Sequence, residues 1–292
     1  MKFNIKYLYT YLYLVLCSSC SDQGDSLINT GALILSHNGV DREYLLHVPE
    51  LKEGSTSYPL LLNFHGYGGT ASDHMYSADF RSIADTAGFI VAYPQGLPSD
   101  DGSPHWNIAE RGGDNKSQSD DFGFINSLID QISVDHNIDQ DRIYASGYSN
   151  GAGISFSIAC HLDRIAAIAS VSGLMSDWAF ENCDPPDPVG VMILHGTSDY
   201  VRPYNGIDDF ALSVNEEIQF WTNFNDTDSI PQVDIINNEN SIEHYRYDNG
   251  RKNSSVEHYK INGGYHVWFN FDHDGQSTNQ LIWNFLSKHS LQ

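Results

Sequence analysis

The pentapeptide Gly147-Tyr148-Ser149-Asn150-Gly151 follows the short apolar run Ile143–Ala145 and opens a segment that can be helical. Few folds accommodate that placement. A serine on a sharp turn between a strand and a helix projects its hydroxyl outward, and flanking glycines relieve the crowding that the tight turn creates. Gly-x-Ser-x-Gly is weak evidence when taken alone, because the chain has 24 glycines and many serines, and an ordinary turn competes with a nucleophile. The other segments have to decide between them.

Those segments occur in the order that an α/β-hydrolase requires, with an oxyanion loop followed by nucleophile, acid and base. Leu60–Phe64 reads as a buried strand that delivers the chain into His65-Gly66-Tyr67-Gly68-Gly69. Glycines there let the backbone approach a substrate carbonyl, so the Tyr67 amide can join that of Asn150 as an oxyanion hole. Such a donor is worth roughly 3 kcal/mol in the transition state. A phosphate cradle would want Gly-Lys-Ser/Thr, which is lacking here, whereas a plain glycine turn remains open. A second apolar run, Val191–Leu194, ends in His195-Gly196-Thr197-Ser198-Asp199. Asp199 is the candidate acid that would hold a histidine in the right tautomer. Asp177, Asp208 and Asp209 also follow the serine, but none comes directly after a clear buried strand. His195, entering a turn, reads as structural. For the base, His266 lies in Gly263-Gly264-Tyr265-His266 after the alternating segment Val256–Ile261. His244 and His258 fall inside strand-like segments. His289 ends the terminal helix, where a cation meets the helix dipole favourably. His273 is the alternative base, although its neighbours Asp272 and Asp274 could equally form a weak ion site with it.

Further segments extend the pattern: His65 to Thr70, Gly88 to Gly96 (Gly-Phe-Ile-Val-Ala-Tyr-Pro-Gln-Gly), Trp106-Asn107, Asp120 to Ile125, Ile138 to Tyr144, Gly147 to Gly153 and His195 to Asp199. As an ordered set they are far more specific than the serine motif. From about Arg42 to the C-terminus the chain resembles the esterase group that includes extracellular polyhydroxybutyrate depolymerases and feruloyl esterases. The resemblance implies a secreted serine esterase of the α/β-hydrolase fold, with Ser149, Asp199 and His266 as its triad, amides of Tyr67 and Asn150 as its oxyanion hole, and no cofactor or metal. Relatives usually carry Thr-Trp-Pro-Gly after the catalytic histidine, where this chain has Val267-Trp268-Phe269-Asn270. That departure is expected to reshape a loop bordering the substrate pocket. Relatives also carry cysteines at points similar to Cys160 and Cys183, which implies that these pair, with free buried thiols as the alternative.

The organisation agrees with this resemblance. Lys2 and Lys6 precede an apolar stretch, Tyr7–Leu16, too short to span a membrane, so residues 1–20 read as a targeting segment. Cys17-Ser18-Ser19-Cys20 resembles a lipobox with Cys20 as the lipidated residue, which implies a lipoprotein held at the membrane by that anchor alone, with cleavage and release as the alternative. Residues 21–40 are expected to be a flexible tether and leading segment, and 41–292 one catalytic domain, a monomer. About 270 residues after the leader suit a single α/β domain. Helices are predicted near Ala71–Ala87, Phe122–His136, Ala152–Cys160, Ser213–Phe224 and Thr278–Lys288, and further strands at Phe89–Tyr93 and Ile165–Val171.

The net charge of -23 argues against a nucleic-acid partner. It also disfavours strongly anionic substrates unless the charge lies away from the cleft. Asp120 and Asp121 can cap the helix that follows, with a direct catalytic role as the alternative. The stretch 114–121 lacks the ordered ligand spacing of a calcium loop. Tyr67, Trp106, Tyr148 and Trp268 are candidates to line a pocket for an aromatic acyl group or a sugar, with burial in the core as the competing role. Feruloyl or acetyl esters on polysaccharide are the first expectation, polyhydroxyalkanoate the second, and a non-catalytic glycan-binding surface lipoprotein the alternative of another class.

Overall fold

Runs such as Pro59-Leu60-Leu61-Leu62-Asn63-Phe64 are apolar at successive positions, which suits strands covered on both faces by helices. The computed structural model describes residues 31–50, 54–109, 115–236 and 241–291. It contains β1 (Leu33–His37), β2 (Val40–His47), β3 (Tyr58–Phe64), β4 (Ile90–Pro94), β5 (Ile138–Tyr148), β6 (Ala167–Val171), β7 (Gly190–Gly196), β8 (Gln232–Ile236), β9 (Ile242–Tyr247) and β10 (Val256–Ile261). These form one 10-stranded sheet of order β1-β2-β4-β3-β5-β6-β7-β10-β9-β8. Strands β4, β3, β5, β6, β7 and β10 are mutually parallel, while β1 and β2 at one edge and β9 and β8 at the other pair antiparallel.

The helices are α1 (Ala71–Ser77), α2 (Arg81–Ala87), α3 (Asp121–Asp135), α4 (Asn150–His161), α5 (Asp177–Glu181), α6 (Val214–Asn225) and α7 (Thr278–Leu286). Because side chains alternate across a strand, Leu60, Leu62, Ile143 and Ala145 pack with α3, α4 and α6 on one face. Leu61, Tyr144 and Val91 pack with α1, α2 and α7 on the other. This is the α/β-hydrolase architecture.

The structure corrects several expectations of detail. The helix expected over Ala71–Ala87 is broken: α1 ends at Ser77, and Phe80 turns into the core with its N–H donating to the Tyr93 hydroxyl at 3.0 Å. The antiparallel edge strands β1, β2 and β8 had no clear apolar signal, since much of each is exposed. The sheet starts at Leu33, inside the stretch 21–40 expected to hold the tether and the segment leading into the domain. The targeting segment and Cys20 lie outside the described residues. Cys160, in the last turn of α4, and Cys183, just after α5, form a disulfide at a separation of 23 residues. In the chain-entropy model a loop of that size contributes about 3 kcal/mol.

Candidate active site

Because β3, β5, β7 and β10 are parallel, their C-terminal ends lie along one edge of the sheet, where open α/β sheets bind ligands. The loops carrying Tyr67, Ser149, Asp199 and His266 each hang from one of those ends. Between β5 and α4, Ser149 has φ 54 and ψ -114, a backbone conformation that costs a non-glycine residue of order 1–3 kcal/mol. The surroundings hold it there. The Ser149 N–H donates to Val171 O at 2.9 Å, and the Ser149 carbonyl accepts from Ala152 and Gly153 at 3.0 and 3.1 Å as α4 begins. A Cβ on Gly147 would come within 2.2 Å of Gly151 O, and one on Gly151 within 2.2 Å of Phe64 O. The two motif glycines are thus required by close backbone packing around the turn.

Asp199 and His266 are brought together in the same manner from β7 and β10. Gly196 pairs with Ile261, Ser198 N–H donates to Gly264 O at 2.9 Å, and a Cβ on Gly196 would meet Gly264 O at 2.2 Å. The two loops therefore run in backbone contact. His266 Nδ1–H donates to Asp199 Oδ2 at 2.7 Å, and Ser149 Oγ–H donates to His266 Nε2 at 2.9 Å. Asp199 Oδ1 accepts from the Val201 and Arg202 amides, both at 2.8 Å. Burial by itself would raise the Asp199 carboxyl, but the bonds from His266 and those amides outweigh it and hold the pKa below the ordinary value. Asp199 stays ionised and fixes His266 in the tautomer whose Nε2 can accept a proton. His195 donates from Nε2 to Arg202 O at 2.8 Å and so secures the Asp199 loop; burial pushes its pKa down.

The remaining candidates separate from this group. His273 sits in a hairpin of β11 (Asp272–His273) and β12 (Gln276–Ser277), near exposed Asp274 rather than Ser149. His266 takes its carboxylate partner from Asp199 and not from Asp177, Asp208 or Asp209. Asp120 caps α3 by accepting from Gly123 N–H at 3.0 Å. Asp121 caps nothing: it is buried and accepts from Arg42, Ser119 and the Asn107 amide at 2.7, 2.8 and 2.8 Å. Among the described residues no cluster suited to a metal ion occurs.

The loop after β3 is set by His65. Its Nδ1–H donates to Gly66 O at 2.7 Å while Nε2 accepts from Gly96 N–H at 3.0 Å, an arrangement of a neutral ring. Burial accordingly pushes the His65 pKa down to about 4. Gly68, at φ 74, closes the turn and donates to Pro104 O at 2.7 Å. Among the described residues neither the Tyr67 nor the Asn150 amide is paired with an acceptor.

A cleft of about 370 Å³ opens over Ser149. Tyr67, Trp106 and Tyr148 line it, as do Phe210, Lys116 and Arg202, which the sequence did not single out. Trp106 is almost wholly buried and is held by the Asn150 side chain, which accepts from its N–H at 2.7 Å and donates to its carbonyl at 2.9 Å. Asn150 thus has a side-chain task as well as an amide. The Tyr148 hydroxyl donates to His266 O at 2.9 Å, and its ring lies 5.1 Å from the His266 ring. Trp268 is not at the cleft. Its indole N–H donates to Asn279 Oδ1 at 2.9 Å and its ring packs edge-on against His74 and Phe80. Phe269 goes into the core beside α7 while Asn270 is exposed, and neither of the two residues that depart from Pro-Gly lines the cleft.

Comparison with known proteins points to a family of esterases. Residues 43–207 match the family model described as Esterase PHB depolymerase. Feruloyl esterase B of Piromyces equi is 28% identical over 263 residues, covering 86% of this chain and 46% of that protein. The bifunctional acetylxylan esterase/xylanase XynS20E of Neocallimastix patriciarum is 26% identical over 245 residues, 83% of this chain and 33% of that protein. The chain therefore spans half or less of the length of these relatives. Among solved structures, the acetyl xylan esterase from Aspergillus awamori superposes with a TM-score of 0.55 at 15% identity, covering 81% of this chain and 94% of that one. A thermostable esterase superposes at 0.57 with 17% identity, covering 89% of this chain and 63% of that one. At such identities the solved structures speak for the fold.

Proposed function

Because the chain belongs to the PHB depolymerase esterase family, we propose that it is a serine carboxylesterase working through an acyl-enzyme. The observation that carries this reading is the relay of 2.9 Å from Ser149 Oγ to His266 Nε2 and 2.7 Å from His266 Nδ1 to Asp199 Oδ2. Ser149 Oγ attacks the ester carbonyl as His266 takes its proton, and Asp199 stabilises the imidazolium. The carbonyl oxygen, now an oxyanion, is received by the Tyr67 and Asn150 amides. The intermediate collapses, His266 gives its proton to the departing alcohol, and water activated by the same histidine releases the acid.

Feruloyl or acetyl esters on polysaccharide are the favoured substrates, with polyhydroxyalkanoate second. The names of the relatives support the first, and so do the aromatic walls of a cleft large enough for a ring. The test is hydrolysis of methyl ferulate, p-nitrophenyl acetate and amorphous polyhydroxybutyrate, run beside labelling with a fluorophosphonate. Ferulate release with labelling at Ser149 is expected. Clearing of the polymer in preference to ferulate would move the assignment to a depolymerase, and failure of Ser149 to react would leave a glycan-binding protein.

We further infer export and lipidation at Cys20. The Cys160–Cys183 disulfide supports an oxidising compartment. Globomycin, which blocks lipoprotein processing, is expected to accumulate a longer precursor. Unchanged size and membrane partition would rule lipidation out.

A further inference from the structure

Among the described residues, every lysine and arginine bridges a carboxylate except Arg251, which donates to the Phe224 carbonyl, and Lys116 and Arg202, which both line the cleft over Ser149. In a chain with 38 acidic and 15 basic residues, a cation has many carboxylates to choose from. The described lining residues of the cleft, by contrast, include no aspartate or glutamate. The surface as a whole repels anions, but its catalytic cleft carries positive charge.

We propose that Arg202 is the receptor for an oxyanion on the substrate, so that this cleft takes esters whose acyl or alcohol part bears a carboxylate, as in a uronate-containing glycan. The inference rests on the esterase reading and narrows its substrate class. Arg202 follows Asp199 closely in sequence, and its backbone is tied down at both ends: its N–H donates to Asp199 Oδ1 and its carbonyl accepts from His195, each at 2.8 Å. The root of the side chain is thereby as well placed as the triad itself. Among the described residues its guanidinium makes a single hydrogen bond, from Nη1 to the neighbouring Val201 O at 3.2 Å, and it lies 5.6 Å from the centre of the Phe210 ring. Most of the five N–H donors of an arginine thus remain for a ligand. Burial lowers the Arg202 pKa against the opposing field of Asp199, which marks a cation poorly solvated where it stands. A planar fork in that condition gains most from a carboxylate that it can bind with two bonds. Lys116, whose ammonium lies 4.4 Å from the centre of the Tyr67 ring on the exposed rim, adds a second positive charge at the mouth.

The test compares matched esters in the wild type, Arg202→Gln and Arg202→Lys. One pair puts the charge on the leaving group (4-acetoxybenzoate against 4-acetoxybenzamide), the other on the acyl group (monomethyl terephthalate against methyl 4-carbamoylbenzoate). The readout is the ratio of kcat/KM for the charged ester to that for its neutral partner, which cancels any general loss of activity. In at least one pair the ratio is expected to fall roughly 10- to 100-fold in Arg202→Gln, chiefly through KM, and to be partly kept in Arg202→Lys. The pair that responds tells which side of the ester the anion occupies. A ratio unmoved in both pairs, or charged and neutral esters losing activity equally, overturns the proposal and leaves Arg202 as a support of the Asp199 loop. Absence of turnover on all four esters also overturns it, and fluorophosphonate labelling of Ser149 then shows whether the esterase reading falls too.

Discussion

Ser149→Ala is expected to lower kcat/KM for a short p-nitrophenyl ester by roughly 10⁴- to 10⁶-fold, with a far-ultraviolet spectrum and melting temperature close to those of the parent. The loss is large because the proposed nucleophile is prepared at several levels. The strained turn presents its oxygen, His266 accepts its proton at 2.9 Å, and the Asp199 carboxylate fixes the ring at 2.7 Å. Asp199→Asn should lose about 10⁴-fold, because an amide lets His266 turn the wrong tautomer toward Ser149. Adding Asp199→Asn to Ser149→Ala should cost little more, since the residues act as one unit. Residual activity of Ser149→Ala above about a hundredth of the parent would remove Ser149 from the chemistry. The Asp199 carboxyl also links stability to acid. Its folded pKa lies below the ordinary value of 3.8, so the unfolded chain binds the proton more readily. Its stabilisation is full above that value and is lost as pH falls through the lower folded one.

The largest effect on stability is expected at Arg42 and Asp121, each 1% exposed and joined at 2.7 Å. Asp121→Ala should destabilise by about 3–5 kcal/mol in urea unfolding, because it leaves a buried guanidinium without its counter-charge. The damage should reach the cleft as well. Asp121 also accepts from the Asn107 amide at 2.8 Å and from Ser119, and Asn107 adjoins the Trp106 that lines the cleft and donates from its indole to His65 O at 3.0 Å. A double variant, Arg42→Met with Asp121→Leu, should recover much of the loss, since apolar groups leave no uncompensated charge. A cost below about 1 kcal/mol for Asp121→Ala would mean that water reaches the guanidinium, contrary to its packing 3.8 Å above the Phe124 ring.

The local backbone demands of the fold were legible in the sequence. A strand buried on both faces must be apolar throughout, and a turn that brings backbone within 2.2 Å of a would-be Cβ must use glycine. Those needs are written in consecutive residues, so the parallel strands, the turn at Ser149 and the loops carrying Tyr67, Asp199 and His266 could be named from sequence. The half-exposed edge strands have no such pattern. The interruption at Phe80 depends on the hydroxyl of Tyr93 from the adjoining strand.

Side-chain partnerships were decided by the tertiary structure. His266 and His273 both follow strand-like segments, but only the β7–β10 register brings His266 to Asp199. Trp106 and Trp268 look alike as candidate pocket walls, yet Asn150 draws one to the cleft while Asn279 and His74 hold the other elsewhere. Asp121 resembles a helix cap until Arg42 arrives from the second strand of the sheet. Arg202 is one basic residue in a loop until the fold places it at the cleft over Ser149, with no carboxylate bridged to it among the described residues. The sequence alone therefore determined the buried parallel strands and the residue types presented along one edge of the sheet. Which of those residues meet followed from strand register over long separations, and no local pattern encodes that pairing.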